Sequence, residues 1–365
     1  MAWTYISMAY EVGTNTALLL EWANRAAAHG IIEFRRQEES IMSAHACAAT
    51  PSIAAVGLLP ALSRLSSAVT AAALVLCLMQ PAVAQQRTAT FVFPYSGTLK
   101  KIHDSGVVRI GHRQNSPPFA FLDKNGKPIG YSLDLCEIVV EEIIAEVGKD
   151  IRVAYRPVTP ENRFDLVNSG EIDLECGSTT NNAERRKMVA FSPTIFVTGT
   201  KLLVRRGSRI LNFRDLQGKT VVLTRGTVHE TAIPKLAERQ KLAIKFVFAG
   251  DHEESFQTLA AGKADAFAND DVQLYGMLAE TKSAADFRVV GDFLTYADYA
   301  LMFRKDDADF AEVVERAFQK LAGSREIVAI YEHWFQKPLP SGMRLNLPMS
   351  PHLEELFRVQ GLPSD

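Results

Sequence analysis

FDLVNSGEIDLEC, residues 164–176, has a weak twin further along the chain in FQTLAAGKADAFA, residues 256–268. In both, Phe is followed after five residues by Gly, then one residue, a small or apolar residue, Asp and a β-rich run. Each copy is preceded by a strand-like run and a polar loop, RVAYRPVTPENR in one case and KFVFAGDHEES in the other. Earlier still, VVRIGHR (107–113) matches VVLTRGT (221–227) in kind, a strand breaking into a polar loop. The same strand–loop–helix–strand order twice implies two similar lobes of α/β type.

Outward from this repeat, short β-rich runs alternate with helical patterns from about Thr98 onward. VVRIG (107–111) and IRVAYRPV (151–158) read as strands, and FAFLDKNGKPIGYS (119–132) as a hairpin turning at Asn125-Gly126. Residues 132–149 read as a helix with an apolar stripe at Cys136, Val140, Ile143 and Val147, closed by Gly148. FVTGTKLLVRRG (196–207) and VVGDFLTYADYALMF (289–303) are long β-like runs that read as two crossovers. The helices DFAEVVERAFQKLA and REIVAIYEHWFQK would then complete the first lobe. The expected division is 98–197 plus 292–365 for lobe 1 and 198–291 for lobe 2, joined by a two-strand hinge with a cleft between them.

The 365 residues, 47% of them hydrophobic, carry a formal charge of −2, which describes an ordinary globular chain with length for two domains. Neither that charge nor any motif points to nucleic acid. Residues 1–84 stand apart. SSAVTAAALVLCLMQPAVA (66–84) follows Arg64 and ends small-x-small, reading as a secretory signal cleaved after Ala84, with an uncleaved anchor as the alternative. Residues 1–41 fit no export signal, and Met42 or a later position is the expected start. Cys47 and Cys77 fall in this segment. Cys136 and Cys176 remain, an even number in an oxidising compartment, which favours a disulfide over two buried thiols.

Ligands of open α/β sheets sit beyond the carboxyl ends of the strands. Those ends carry Arg113 after the first strand, Arg163 at the next helix start, and Ser178, Thr180 and Arg185 after DLEC. In the second lobe they carry Thr227, His252 and Asp270. Asn181-x-x-Glu184 resembles a capping box, so a helix is expected to begin there and to offer free N–H groups beside the hydroxyls. Arg185 in its first turn could fork onto a carboxylate. Singly, each residue also has a plain reading: Arg113 and Arg163 as surface groups, His252 as a capping or solvated histidine, Asp270 as a helix cap. Gathered at one cleft, three arginines and a histidine with one or two aspartates call for a ligand with about two negative charges and one positive, as in an acidic amino acid.

These segments resemble the family 3 solute-binding proteins of ABC transporters, and within them the periplasmic glutamate/aspartate-binding proteins. The likeness runs from about Gly97 to Leu356 and is carried by GHRQNSPPFAFLD, GKPIGYSLDLC, DLECGSTTNNAERR, FSPTIFVTGTKLLV, GDHEESFQTLAAGKADAFANDD and LMFRKDD. It implies the two-lobed type II periplasmic-binding-protein fold and a monomer in the periplasm that hands L-glutamate or L-aspartate to a membrane permease. It further implies that Arg185, Thr180 and Thr227 hold the α-carboxylate, Ser178 and Asp270 the α-amino group, and Arg113, Arg163 and His252 the side-chain carboxylate. Three departures stand out. Pro160-Glu161-Asn162-Arg163 lacks a Ser of the family pattern, and Gly226-Thr227-Val228 replaces Gly-Thr-Thr. Ala300 stands where some members carry a cysteine paired with the one at Cys176, which supports Cys136 as the partner here.

Two rivals share the fold: a dehydratase acting on a cyclohexadienyl or arogenate-type substrate, and an amino-acid sensor. The dehydratase needs a poised general acid, for which His252 and Glu175 are candidates. No nucleophile–base pair, metal-ligand spacing, phosphate loop or cofactor motif is present in the sequence, and a binding protein rather than an enzyme is expected.

Overall fold

The computed structural model describes residues 95–364. The expected export signal, its cleavage after Ala84 and the start at Met42 lie outside the described residues. The first elements are α1 (Gly97–Ser105), β1 (Val107–His112), β2 (Asn115–Ser116), β3 (Ala120–Leu122), β4 (Pro128–Ile129) and α2 (Tyr131–Val147). There follow β5 (Arg152–Pro157), α3 (Arg163–Asn168), β6 (Leu174–Thr180), β7 (Val189–Phe191) and β8 (Phe196–Arg205). Next come β9 (Thr220–Thr224), α4 (His229–Arg239), β10 (Lys245–Ala249), α5 (His252–Ala260), β11 (Ala266–Asp270), α6 (Asp271–Glu280) and β12 (Phe287–Val290). The chain closes with β13 (Tyr296–Arg304), α7 (Ala308–Gly323), α8 (Glu326–Phe335) and α9 (Pro351–Val359).

The strands run in the order β10-β9-β11-β8-β13-β6-β1-β5, with β12 also on β8 and β7 also on β13. At one end β5, β1 and β6 are parallel and β13 lies antiparallel to β6. At the other, β10, β9 and β11 are parallel and β8 lies antiparallel to β11. The two ends are thus built alike. They meet where Phe196–Gly199 of β8 pairs with Tyr296–Tyr299 of β13.

The repeat has a common physical cause. Gly170 and Gly262, at φ +74° and +72°, each turn the chain out of a helix in the left-handed region that a side chain rarely adopts. Each Asp then binds the start of the neighbouring strand. Asp173 Oδ2 accepts from Arg109 N at 2.8 Å, and Asp265 Oδ2 accepts from Thr220 N at 2.8 Å. The backbone N–H groups of the same aspartates donate back to Arg109 and Thr220 carbonyls. Gly releases the helix and Asp sets the register of the parallel pair.

Helix α2 starts one residue before and ends two residues before the expected bounds, and Gly148 (φ +69°) caps it by donating to the Ile144 carbonyl at 2.9 Å. Its stripe enters the largest apolar cluster, with Phe119, Tyr131, Phe196, Tyr331 and Phe335 at the centre. Cys136 on α2 and Cys176 on β6 are bridged, with Cα atoms 6.3 Å apart. The other half of the sheet is covered on both faces by separate apolar clusters around Leu223 and Phe267.

Two local expectations fail. No helix begins at Asn181: β6 runs through Ser178 and Thr179 to Thr180, paired with Tyr299 and Ala300 of β13, and only a 3₁₀ turn (Arg185–Lys187) follows. Three residues with hydroxyl side chains, two of them β-branched, lie flat in a sheet, and β7 begins too soon for a helix. Asn182, not Asn181, holds the turn, its Oδ1 accepting from Arg185 N at 2.9 Å. The run 289–303 is also two strands, broken at Gly291 (φ +84°) between β12 and β13.

Candidate ligand-binding site

All eight expected residues line one tight pocket between the two halves of the sheet. Arg113 follows β1, Arg163 opens α3, and Ser178 and Thr180 stand at the end of β6. Thr227 precedes α4, His252 opens α5 and Asp270 ends β11. Arg185 comes from the 3₁₀ turn. The charged members are buried: Arg113 is 1% exposed, Arg163 2% and Asp270 2%. His252 is buried as well, neither solvated nor a cap; Asp251 caps its helix by accepting from Glu254 N.

One of the three guanidiniums is tied to a buried carboxylate through a hydroxyl. Arg163 Nη1 donates to Thr179 Oγ1 at 2.6 Å, and that hydroxyl donates to Glu175 Oε2 at 2.7 Å. Glu175 is fully buried beneath Gly177, where an added Cβ would lie 2.3 Å from Oε1. Arg185 donates to the Thr180 carbonyl at 3.1 Å and, across the cleft, to the Gly226 carbonyl at 3.2 Å. Arg163 and Arg185 both stack on Phe164, at 5.4 and 5.1 Å. Among the described residues Arg113 Nη2 and Arg163 Nε have no hydrogen-bond partner.

Burial pushes Arg113 down to about 10, and the neighbouring Arg163 charge adds to it. Arg185 falls to about 9 for the same two reasons. Each depression reflects a cation taken out of water beside a like charge. His252 Nδ1 lies 3.0 Å from Thr224 Oγ1; burial first, then Arg113, hold its imidazole well below the ordinary value, so it stays neutral.

Opposite the arginines stands an acceptor. Asp270 Oδ1 takes hydrogen bonds from His229 Nε2 at 3.0 Å and Thr200 Oγ1 at 3.3 Å, and Oδ2 takes one from Tyr299 at 2.5 Å. Burial alone would raise this carboxyl, but the His229 interaction and the three hydrogen bonds outweigh it and leave it below its usual range. Asp270 therefore remains an anion, and its side chain does not cap α6.

The cavity also contains groups that the strand-end reading passed over. His229 opens α4 two residues beyond Thr227, a position the strand-end rule reaches if extended to the helix start. Tyr299 lies within the crossover strand β13, away from any strand end, and carried no signal of that kind. Neither of the acids a dehydratase would need is poised: His252 is held neutral and Glu175 is bound by Thr179. No cluster of three or more metal-ligating side chains occurs among the described residues.

The halves are in close contact around the cavity. Asn115 Nδ2 donates to Asp251 Oδ2 at 2.8 Å. A Cβ at Gly226 would lie 2.5 Å from the Pro160 carbonyl carbon, and one at Gly276 would lie 2.2 Å from the Pro117 carbonyl oxygen.

Residues 108–337 match the model of the bacterial extracellular solute-binding proteins, family 3. The chain is 43% identical over 306 residues to an L-glutamate/L-aspartate-binding protein of Pseudomonas aeruginosa, covering 83% of this chain and 96% of that one. It is 40% identical over 263 residues to the glutamate/aspartate import solute-binding protein of Escherichia coli K12, covering 72% and 87%. Among solved structures, an ancestral arginine-binding protein bound to glutamine matches at a TM-score of 0.58 and 27% identity, over 64% of this chain and 99% of that one. Holo ArgBP from T. maritima matches at 0.55 and 26%, over 64% and 97%.

Proposed function

The chain belongs to the bacterial extracellular solute-binding proteins of family 3, and from that premise we propose that its cavity captures L-glutamate and L-aspartate for hand-over to an ABC-transporter permease. One observation carries the ligand: three buried arginines, with Glu175 as a nearby buried carboxylate, line the same small pocket as the anion Asp270. A ligand that fills this pattern brings two carboxylates to the arginine side and an ammonium to Asp270. Relatives named for glutamate and aspartate support the same choice.

On this reading Arg185, Thr180 and Thr227 hold the α-carboxylate, and Ser178 and Asp270 the ammonium. Arg113, Arg163 and His252 hold the side-chain carboxylate. Thr227 would act through its main-chain N–H at the start of α4, since its hydroxyl already donates to the Thr224 carbonyl at 2.7 Å. The lobes, divided at 197/198 and 291/292, close on the ligand about the β8–β13 crossing. The protein works as a monomer in the periplasm, exported by the segment ending at Ala84.

Isothermal titration against L-glutamate, L-aspartate, L-glutamine and L-arginine tests this. Binding of the two acidic amino acids, with glutamine far weaker, is expected. Silence from both acidic ligands would overturn the ligand and leave the fold untouched.

A further inference from the structure

The last two residues of β11, Asn269 and Asp270, face opposite sides of the sheet. Ala266 and Ala268 share an apolar cluster with Ile233 and Ala237 of α4, whereas Phe267 belongs to the one that holds Phe256 and Leu259 of α5. Side chains alternate along a strand, so Asp270 falls on the α4 side, where it meets His229, and Asn269 on the α5 side. On that side His252 opens α5, its ring centroid 6.4 Å from that of Phe267. Asn269 lines the same pocket and is 1% exposed, and its Nδ2 has no hydrogen-bond partner among the described residues. We propose that Asn269 recognises the ligand, its amide donating directly to the side-chain carboxylate of the bound acidic amino acid. This rests on the reading given above, in which that carboxylate lies with Arg113, Arg163 and His252.

Burial without a partner argues against a purely structural role. An amide taken out of water and left unpaired is costly, and asparagine is depleted in strands. The fold by itself would therefore favour an apolar side chain beside Phe267, and a ligand that supplies an acceptor offsets the cost. The hydroxyls at this end are already engaged. Thr224 Oγ1 meets His252 Nδ1 and Ser255 Oγ, and Thr179 Oγ1 joins Arg163 to Glu175. Arg113 Nη2, Arg163 Nε and Asn269 Nδ2 are three buried nitrogens of pocket-lining residues without a partner among the described residues. The two oxygens of one carboxylate can accept from all three. The neighbours also explain why the third donor is neutral. The charge of Arg163 already works against that of Arg113, and another cation would add to the repulsion. An amide adds a bond to the carboxylate without adding charge.

Calorimetry with one variant and a crystal structure of the complex test this. Asn269→Leu keeps the size of the side chain and removes its donor. Its affinity for L-glutamate should fall at least about tenfold, while the Tm of the ligand-free protein stays level or rises. Unchanged affinity would overturn the role of Asn269 and leave the ligand reading standing. The wild-type protein crystallised with L-glutamate gives an answer that does not depend on the variant folding. In that complex Nδ2 should lie within about 3.2 Å of a side-chain carboxylate oxygen of the ligand. A complex in which this nitrogen meets only protein or water would overturn the proposal whatever the variant does. No wild-type binding of L-glutamate in the calorimeter would overturn the ligand reading and this inference with it.

Discussion

Arg163 shows how one side chain can serve the fold and the ligand together. Its Nη1 is tied to Thr179 and through it to Glu175, while its Nε has no hydrogen-bond partner among the described residues. Replacing it with Met breaks the Thr179-mediated link to Glu175 and removes a donor from the side-chain carboxylate. Arg163→Met should therefore weaken L-glutamate by at least about 30-fold while weakening L-glutamine much less, as measured by calorimetry. Equal losses would place the side-chain carboxylate elsewhere. Asp270 makes a complementary prediction about acid stability. Its carboxyl is held below the unfolded value, so its contribution is complete above the ordinary carboxyl range and is lost as pH falls through the depressed value. Between pH 5 and 3 the urea midpoint of the wild type should fall further than that of Asp270→Asn. The site was legible where a single strand end presents its side chains. His229, Tyr299 and Thr200 escaped because they matter only through Asp270, which gathers them from α4, β13 and β8.

Among the elements, α2 and β6 are joined by Cys136–Cys176 across 40 residues of sequence. A loop of that length should stabilise the fold by roughly 4 kcal/mol in the chain-entropy account. Reduction, or Cys136→Ala with Cys176→Ala, should lower Tm by on the order of 10 °C while leaving L-glutamate binding in the surviving native protein. Loss of binding at temperatures where the reduced protein is folded would instead make the bridge part of the site. Helices and strands with a strict apolar period, such as α2, were readable because burial imposes that period locally. The helix expected at Asn181 was not. Its capping pattern is a local preference, and pairing of Ser178–Thr180 beside β13, more than a hundred residues away in sequence, overrides it.

At the scale of the whole molecule, closure depends on backbones meeting without side chains. Gly276 sits inside α6, where glycine costs about 1 kcal/mol relative to alanine, yet a Cβ there would strike the Pro117 carbonyl. Gly276→Ala should leave the ligand-free protein as stable or slightly more so, yet weaken L-glutamate at least about tenfold, on the order of 1.4 kcal/mol. Small-angle scattering should show a larger radius of gyration at saturating ligand than for the wild type. An unchanged radius and affinity would mean that the halves meet differently.

The crossing of β8 and β13 also sets an order of assembly. The strands from β8 to β12 are contiguous in sequence, so that half of the sheet is complete once residue 290 is available. The half built on β5, β1 and β6 waits for β13 and the helices after it. A chain emerging amino-terminus first therefore finishes its second half before its first. Until then, the link from α2 to β6 is the covalent tie within the unfinished part. Pulse-labelled hydrogen exchange during refolding of the disulfide-intact protein should find β9 and β11 protected before β1, and simultaneous protection would show that the halves form as one unit. Maturation would then begin in the middle of the gene product and end at both of its flanks.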